Sequence, residues 1–298
     1  MRIDRILDEQ RPCFSFEFFP PKDDEGMERL WKALTELRHD DPAFVSVTYN
    51  AGGSKSGRTL EVVKRMRSEL GLEAMAHFTC IGATVEGLRE TLDEMRAAGV
   101  ENVLALRGDP PRGESEWKPT PGGLRYSTEL AAMMAESYPF CVGAACFPET
   151  HPEAVDLAHD IGFLREKVEA GASFLITQLF FDNDLYFRFV DEARAAGINV
   201  PIIPGIMPVT NFGQIKRFTE MCGATIPAEL DRELTARADD PDAVRDLGVA
   251  YATLQCSDLL ARGAPGIHFY TLNKSPATKA ILAGLRAARP WDRALAPA

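Results

Sequence analysis

One glutamate raises the question of chemistry. Residues 11–22, RPCFSFEFFPPK, read as a short aromatic strand cut off by Pro20 and Pro21, and Glu17 stands in it with no cation beside it. Strand alternation puts Phe14, Phe16 and Phe18 on one face, and Cys13, Ser15, Glu17 and Phe19 on the other. If the phenylalanine face meets outer helices, Glu17 points into the mouth of a barrel. Desolvation there raises a carboxyl pKa, and a carboxyl that keeps its proton near neutrality is suited to general-acid work. The same spacing also fits a Glu paired to an Arg from another strand.

Other polar residues recur at the ends of apolar runs: Thr48, His77, Arg107 with Asp109, His151 in the FPETH segment, Gln178 and Lys274. One polar strand end is ordinarily a satisfied loop anchor. Seven of eight runs carrying one is costlier to explain that way, because bare apolar strands bury more cheaply. In LRGDPP (106–111), Gly108 lets a flat ligand approach the backbone between Arg107 and Asp109, which otherwise pair with each other. In ITQLFFD (176–182), Gln178 offers a neutral amide suited to orienting a heterocycle; its alternative is a core amide bonded to backbone.

Two other constellations carry less. GGSKSGRT (52–59) has the spacing of a phosphate loop, but Arg58 stands where lysine is required, so it reads as a βα loop. Its serines are out of phase for a nucleophile elbow. His77 and Cys80 lie an odd number of residues apart and point to opposite strand faces, and none of the five histidines forms a helix-borne pair, so no metal site is expected.

The elements that must hold these residues follow from periodicity. Strand-like runs at 13–19, 43–49, 73–80, 101–108, 140–147, 173–181, 200–207 and 266–272 alternate with helical spacing at 25–38, 57–70, 84–98, 127–137, 154–170, 184–196, 211–222 and 275–287. Glycines at 99, 171 and 197 sit where helix C-caps belong. Eight β and eight α runs in strict alternation predict an α/β fold, an eight-fold βα (TIM) barrel in one domain spanning 1–298. Extra helical material at 226–262 precedes the last strand, and 110–126 reads as a long βα loop.

Composition agrees. Lys+Arg 33 against Asp+Glu 44 gives a net charge of -11, which argues against nucleic acid or an anionic membrane as partner. The segment MRIDRILDEQ has no apolar core of a signal peptide, and the six cysteines form no CxxC pair, so a reduced, cytoplasmic chain is expected.

SFEFFPP (15–21), FVSVTY (44–49), HFTC (77–80), ALRGD (105–109), PETHPEA (148–154), ITQLFFD (176–182), IIPGIMPV (202–209) and HFYTLNK (268–274) together closely resemble the catalytic domain of bacterial methylenetetrahydrofolate reductases, collinearly over about residues 12–288. The resemblance implies a barrel holding FAD, reduced by NADH (or NADPH), which then passes hydride to 5,10-methylenetetrahydrofolate in a ping-pong sequence that yields 5-methyltetrahydrofolate. Glu17 resembles the general acid of that reaction, and Asp109 the carboxylate shared between flavin and pterin. Gln178 resembles an amide that contacts folate and nicotinamide in turn, and Phe218 an aromatic that stacks on either, with Gln214 one turn earlier. Thr48, His77, Arg107, Gly108, Tyr126, Phe147, His151, Ala154, Asp160 and Lys167 fall on flavin-contacting positions.

Lys274 stands where the family usually has Arg, keeping the charge without the planar fork. Asn50 replaces a glycine, Phe163 a polar contact, and Glu166 the first of two adjacent basic residues, with Arg165 about 100° away around the helix. The resemblance further implies a homo-oligomer, and the length implies no S-adenosylmethionine-sensing regulatory domain. Two other readings stay open: a flavin-free pterin-binding barrel acting as a folate carrier or as a subunit of a larger complex, and an enzyme of this fold fed electrons by a partner protein.

Overall fold

Ile3, Ile6 and Leu7 share one face at helical spacing and fold as α1 (Ile3–Glu9), a helix that the charges around them conceal in the sequence. The computed structural model describes residues 1–49, 56–108 and 118–294. The three apolar side chains of α1 are buried with Cys13, Phe44, Met75, Leu104, Cys141, Phe174 and Ile203, so the helix stops the N-terminal end of a barrel. Asn102 fastens it. Its side-chain oxygen accepts the Ile3 N–H (2.8 Å), and its amide donates to Met1 O and Glu73 Oε1 (3.0 Å each).

Alternation then follows as the periodicity predicts: β1 (Cys13–Phe18), α2 (Asp24–Arg38), β2 (Phe44–Val47), α3 (Ser56–Leu70), β3 (Ala74–Thr79), α4 (Val85–Ala97), β4 (Asn102–Leu106), α5 (Ser127–Ser137), β5 (Cys141–Cys146), α6 (Leu157–Glu169), β6 (Ala172–Thr177) and α7 (Asn183–Ala195). The helix expected from 154 begins only at Leu157, because Asp156 caps it by accepting the His159 N–H at 2.8 Å. Gly99, Gly171 and Gly197 all take positive φ past the helix ends.

The strand expected at 200–207 is broken in two, β7 (Ile202–Ile203) and β8 (Gly205–Ile206), by Pro204. Proline has no N–H for the ladder. The β7 half pairs with β6 and the β8 half with β9 (Gly266–Tyr270), so the parallel ring β7-β6-β5-β4-β3-β2-β1-β9-β8 closes through one kinked strand. Two groups bridge the break: Pro204 O accepts the His268 N–H (2.9 Å), and the Thr177 hydroxyl accepts the Gly205 N–H (2.9 Å). A Cβ on Gly205 would sit 2.4 Å from Thr177 O and 2.5 Å from the Tyr270 hydroxyl, so only glycine fits.

Between β8 and β9 lie α8 (Phe212–Cys222) and the inserted material, which forms two helices, α9 (Ala228–Thr235) and α10 (Pro241–Ala261). They bury Leu230, Leu234 and Val244 against Leu179, Phe181, Val209 and Ile215, a cluster beside the barrel's C-terminal end. After β9 come α11 (Pro276–Ala288) and α12 (Trp291–Ala294). Phe14, Phe16 and Phe18 face the outer helices as alternation requires, in the main core layer between sheet and helices. Each large side chain so buried contributes about 1.5–3 kcal/mol.

Candidate active site at the barrel mouth

Glu17 lies at the C-terminal end of β1, 7% exposed, facing inward. Among the described residues, no arginine pairs with it. Its Oε2 lies 3.4 Å from His77 Nε2 on β3 and 3.5 Å from His268 Nε2 on β9. Beneath it, His268 is fully buried, with Nδ1 2.8 Å from Ser15 Oγ and Nε2 3.5 Å from Ser46 Oγ. Tyr270 sets its ring edge-on to His268 and donates its hydroxyl to Thr177 O at 2.5 Å. Burial lowers the His77 pKa, with His268 adding to the effect and Glu17 opposing it, so His77 is neutral at pH 7. Burial and then Glu17 push the Tyr270 hydroxyl well above its ordinary value.

The neighbouring strand ends present polar atoms that nothing in the protein satisfies. Among the described residues, five buried side-chain N or O atoms lack a hydrogen-bond partner, and three of them, Thr48 Oγ1, His77 Nε2 and Thr79 Oγ1, stand on the ends of β2 and β3. An orphaned buried polar atom costs about 1–3 kcal/mol, so such a cluster suits a polar ligand that supplies the partners. Gly108, after β4, has φ +94°, and a Cβ there would meet Ile81 Cγ2 at 2.4 Å. Arg107 donates to Glu153 in a two-pronged pair (2.5 and 2.7 Å). Asp109 lies outside the described residues, as does Asn50.

The loop after β5 gathers several expected residues. Phe147 and His151 meet edge to face at 4.6 Å. His151 N–H donates to Asp160 Oδ2 (2.8 Å), its ring Nδ1 accepts the Glu153 N–H (3.1 Å), and its carbonyl accepts the Ala154 N–H (2.8 Å). Lys167 turns inward from α6 and donates to Ala145 O (3.1 Å); burial lowers its pKa, opposed by Asp160. Phe163 and Glu166 are both exposed, and Phe163 shares the helix face of Asp160 and Lys167, its ring near that of His159. Tyr126 sits at the head of α5, half exposed, its ring under Arg125.

Two shallow recesses hold the residues expected to face substrate. Gln178 shares one with Phe147, Thr150 and Cys222, and its oxygen accepts the Leu179 N–H (2.8 Å), a backbone-bonded amide in that half. Gln214 and Phe218, one turn apart on α8, line the other with Met207 and Leu272. Lys274 is exposed beyond β9. Arg58, the phosphate-loop decoy, donates to Pro21 O at 2.7 Å.

Sequence reasoning missed Ser15, Ser46, Thr79 and His268. The first shares Glu17's strand face and the last opens the HFYTLNK segment, so inward alternation on strands other than β1 was the available signal.

A carboxyl set on two imidazoles, beside a row of unsatisfied hydroxyls at the ends of parallel strands, fits a barrel that binds a polar heteroaromatic cofactor. Comparison with known proteins agrees. The family model for methylenetetrahydrofolate reductase matches residues 2–286. The chain belongs to the methylenetetrahydrofolate reductase family. It is 40% identical over 267 residues to the Escherichia coli 5,10-methylenetetrahydrofolate reductase (90% of this chain, 88% of that one). It is 37% identical to the Arabidopsis thaliana methylenetetrahydrofolate reductase (NADH) 1, over 95% of this chain. The chain spans about half the length of the plant and yeast members of the family that it matches. Among solved structures, the fold is shared with a Clostridium thermocellum protein that binds two copies of 5-methyl-5,6,7,8-tetrahydrofolic acid (TM-score 0.66, 14% identity, 97% and 99% of the two chains). A dihydropteroate synthase from Thermus thermophilus is similar at TM-score 0.51, 14% identity and coverage of 94% and 95%.

Proposed function

We propose that this chain reduces 5,10-methylenetetrahydrofolate to 5-methyltetrahydrofolate with a bound FAD, which takes hydride from NADH or NADPH and releases it to the folate in a separate, ping-pong step. The observation that carries this reading is the inward Glu17 carboxyl on His77 and His268, beside the unpartnered atoms on β2 and β3. Family membership and the 40% identity to the bacterial reductase support it. A folate ligand also accords with the methylated folate held by the C. thermocellum barrel.

Bound flavin supplies the hydride-transfer chemistry. The chain supplies the rest. Thr48, His77 and Thr79 would offer the flavin their unpartnered polar atoms, and Gly108, its Cβ side closed by Ile81, would present backbone to it. Tyr126, Phe147, His151, Ala154, Asp160 and Lys167 line its remainder. Arg107, paired with Glu153, and Lys167 would bring positive charge to its diphosphate. Glu17 holds a proton for the pterin and delivers it as the methylene bridge opens; Asp109 assists between flavin and pterin. Neutral His77 adds no positive charge beside that carboxyl. Gln178, Gln214 and Phe218 orient whichever substrate occupies the mouth, and Lys274 meets the anionic end of the folate. We place the protein in the cytoplasm as a homo-oligomer.

The test is anaerobic. The purified protein is expected to carry, or take up, a yellow chromophore that NADH or NADPH bleaches and that 5,10-methylenetetrahydrofolate restores. A protein that binds folate but stays colourless with added FAD would favour a folate carrier and end this proposal. A chromophore bleached by neither nicotinamide would end its hydride-donor half.

A further inference from the structure

The end of β1 is fastened in an unusual way. Its ladder to β9 runs out at the pair Glu17 and Tyr270, and Pro20 offers no N–H to continue it. The turn after β9 takes over. Thr271 donates to Glu17 O from its hydroxyl (2.6 Å) and from its N–H (3.3 Å). Leu272 and Asn273 then occupy the left-handed region in succession, with φ of 51° and 59°. Asparagine tolerates that conformation; leucine does so only when its surroundings impose it.

The reversal brings the Asn273 carboxamide onto Phe19. Its oxygen accepts the Phe19 N–H (2.8 Å) and its nitrogen donates to Phe19 O (2.9 Å). A side chain thus replaces the missing strand pair with both bonds of a ladder rung. Asn273 N–H in turn donates to the Thr271 hydroxyl (3.2 Å), tying the two fasteners together. Leu272, between them, lines the same recess as Gln214 and Phe218.

We propose that Asn273 is a positioning residue: through Phe19 and Thr271 it holds the Glu17 carboxyl in register with the recess that Leu272, Gln214 and Phe218 line. This rests on the reduction proposed above. Clamped on both sides, Glu17 keeps its reach to substrate fixed. Unclamped, β1 beyond Glu17 keeps described backbone pairing to β2 alone, through Phe18 with Val47 and Phe18 O with the Thr48 N–H (2.9 Å), and its end frays.

Two variants of the full chain test it. Asn273→Gly leaves the left-handed backbone at ease while removing the carboxamide. Asn273→Asp keeps the acceptor for the Phe19 N–H and loses the donor to Phe19 O. Two readouts are taken: hydrogen exchange at the Phe19 amide in the flavin-free protein, and the two half-reactions of the flavin-loaded protein. The Gly variant is expected to exchange Phe19 about tenfold faster or more. It is also expected to accept hydride from the nicotinamide within about twofold of wild type, and to reduce folate roughly 10–100-fold more slowly, with the Asp variant between.

Unchanged Phe19 exchange overturns the clamp. Faster exchange with folate reduction intact, or with both half-reactions slowed alike, overturns the positioning role. A wild-type protein that reduces no folate instead refutes the proposed function, and Phe19 exchange still decides the clamp.

Discussion

His268 Nε2 lies 3.5 Å from Glu17 Oε2 while its Nδ1 lies 2.8 Å from Ser15 Oγ, so a fully buried imidazole bridges two residues of one strand. The carboxyl is thereby anchored from below by β9 and flanked from the side by His77 of β3. Among the described residues, the carboxyl is held in place by imidazole rings and by no lysine or arginine.

Glu17→Gln keeps the shape and removes the proton that the carboxyl exchanges. The expected outcome is hydride uptake from NADH or NADPH close to wild type, with folate reduction lowered by about 10²–10⁴-fold. Anaerobic stopped-flow traces of each half-reaction check it. Equal loss in both would move Glu17 from chemistry to structure.

His77 has its pKa lowered by burial, and so has His151. Above the ordinary histidine value of about 6.5, neither is charged in the folded or the unfolded chain. As pH falls below it, the unfolded chain takes up protons that the folded chain refuses, so stability drops until the depressed folded values are reached. Urea midpoints are therefore expected to fall between neutral and mildly acidic pH, by at most about 1.4 kcal/mol per pH unit for each such histidine. His77→Asn should flatten that slope; an unchanged slope would place the effect elsewhere.

Thr79→Val removes one of the unpartnered hydroxyls at nearly constant volume. Without flavin, the variant is expected to be as stable as wild type or up to about 1 kcal/mol more stable, since a buried unsatisfied group is lost. Flavin retention should weaken roughly tenfold, the worth of one hydrogen bond. Chemical unfolding and flavin titration measure the two effects separately, and their opposite signs are the signature.

Gly205→Ala places a methyl group against Thr177 O and the Tyr270 hydroxyl where the ring closes. A loss of about 1–3 kcal/mol or more is expected from overpacking, since one neighbour is backbone and cannot retreat far. Equilibrium unfolding of the variant decides it, with Gly162→Ala, a glycine of ordinary φ that meets nothing within 4 Å, as the comparison free of any clash.

The alternation of strands and helices was legible because parallel strands buried on both faces read as apolar runs and the helices carry one apolar stripe. The facing of β1 was legible for the same reason. What escaped notice depended on distant contacts. The three apolar residues of α1 are interleaved with Asp4, Arg5 and Asp8, and their stripe acquires meaning only against the barrel end they cover. Pro204 was visible, but that each half of its strand pairs with a different neighbour is a property of the closed ring. Polar strand ends pointed to the mouth, yet the pair that Arg107 makes with Glu153, 46 residues along the chain, is one that spacing does not encode. His268 looked like part of an apolar strand, and only closure of β9 onto β1 sets it beneath Glu17.

The plug formed by Ile3, Ile6 and Leu7 has a consequence for traffic. Among the described residues the cylinder is stoppered at its base and open at the top, so on the proposed mechanism solvent would reach Glu17 by the passage that ligands use. On the proposed mechanism, an occupant of that entrance would cut Glu17 off from solvent, and each turnover would begin with the threshold clear.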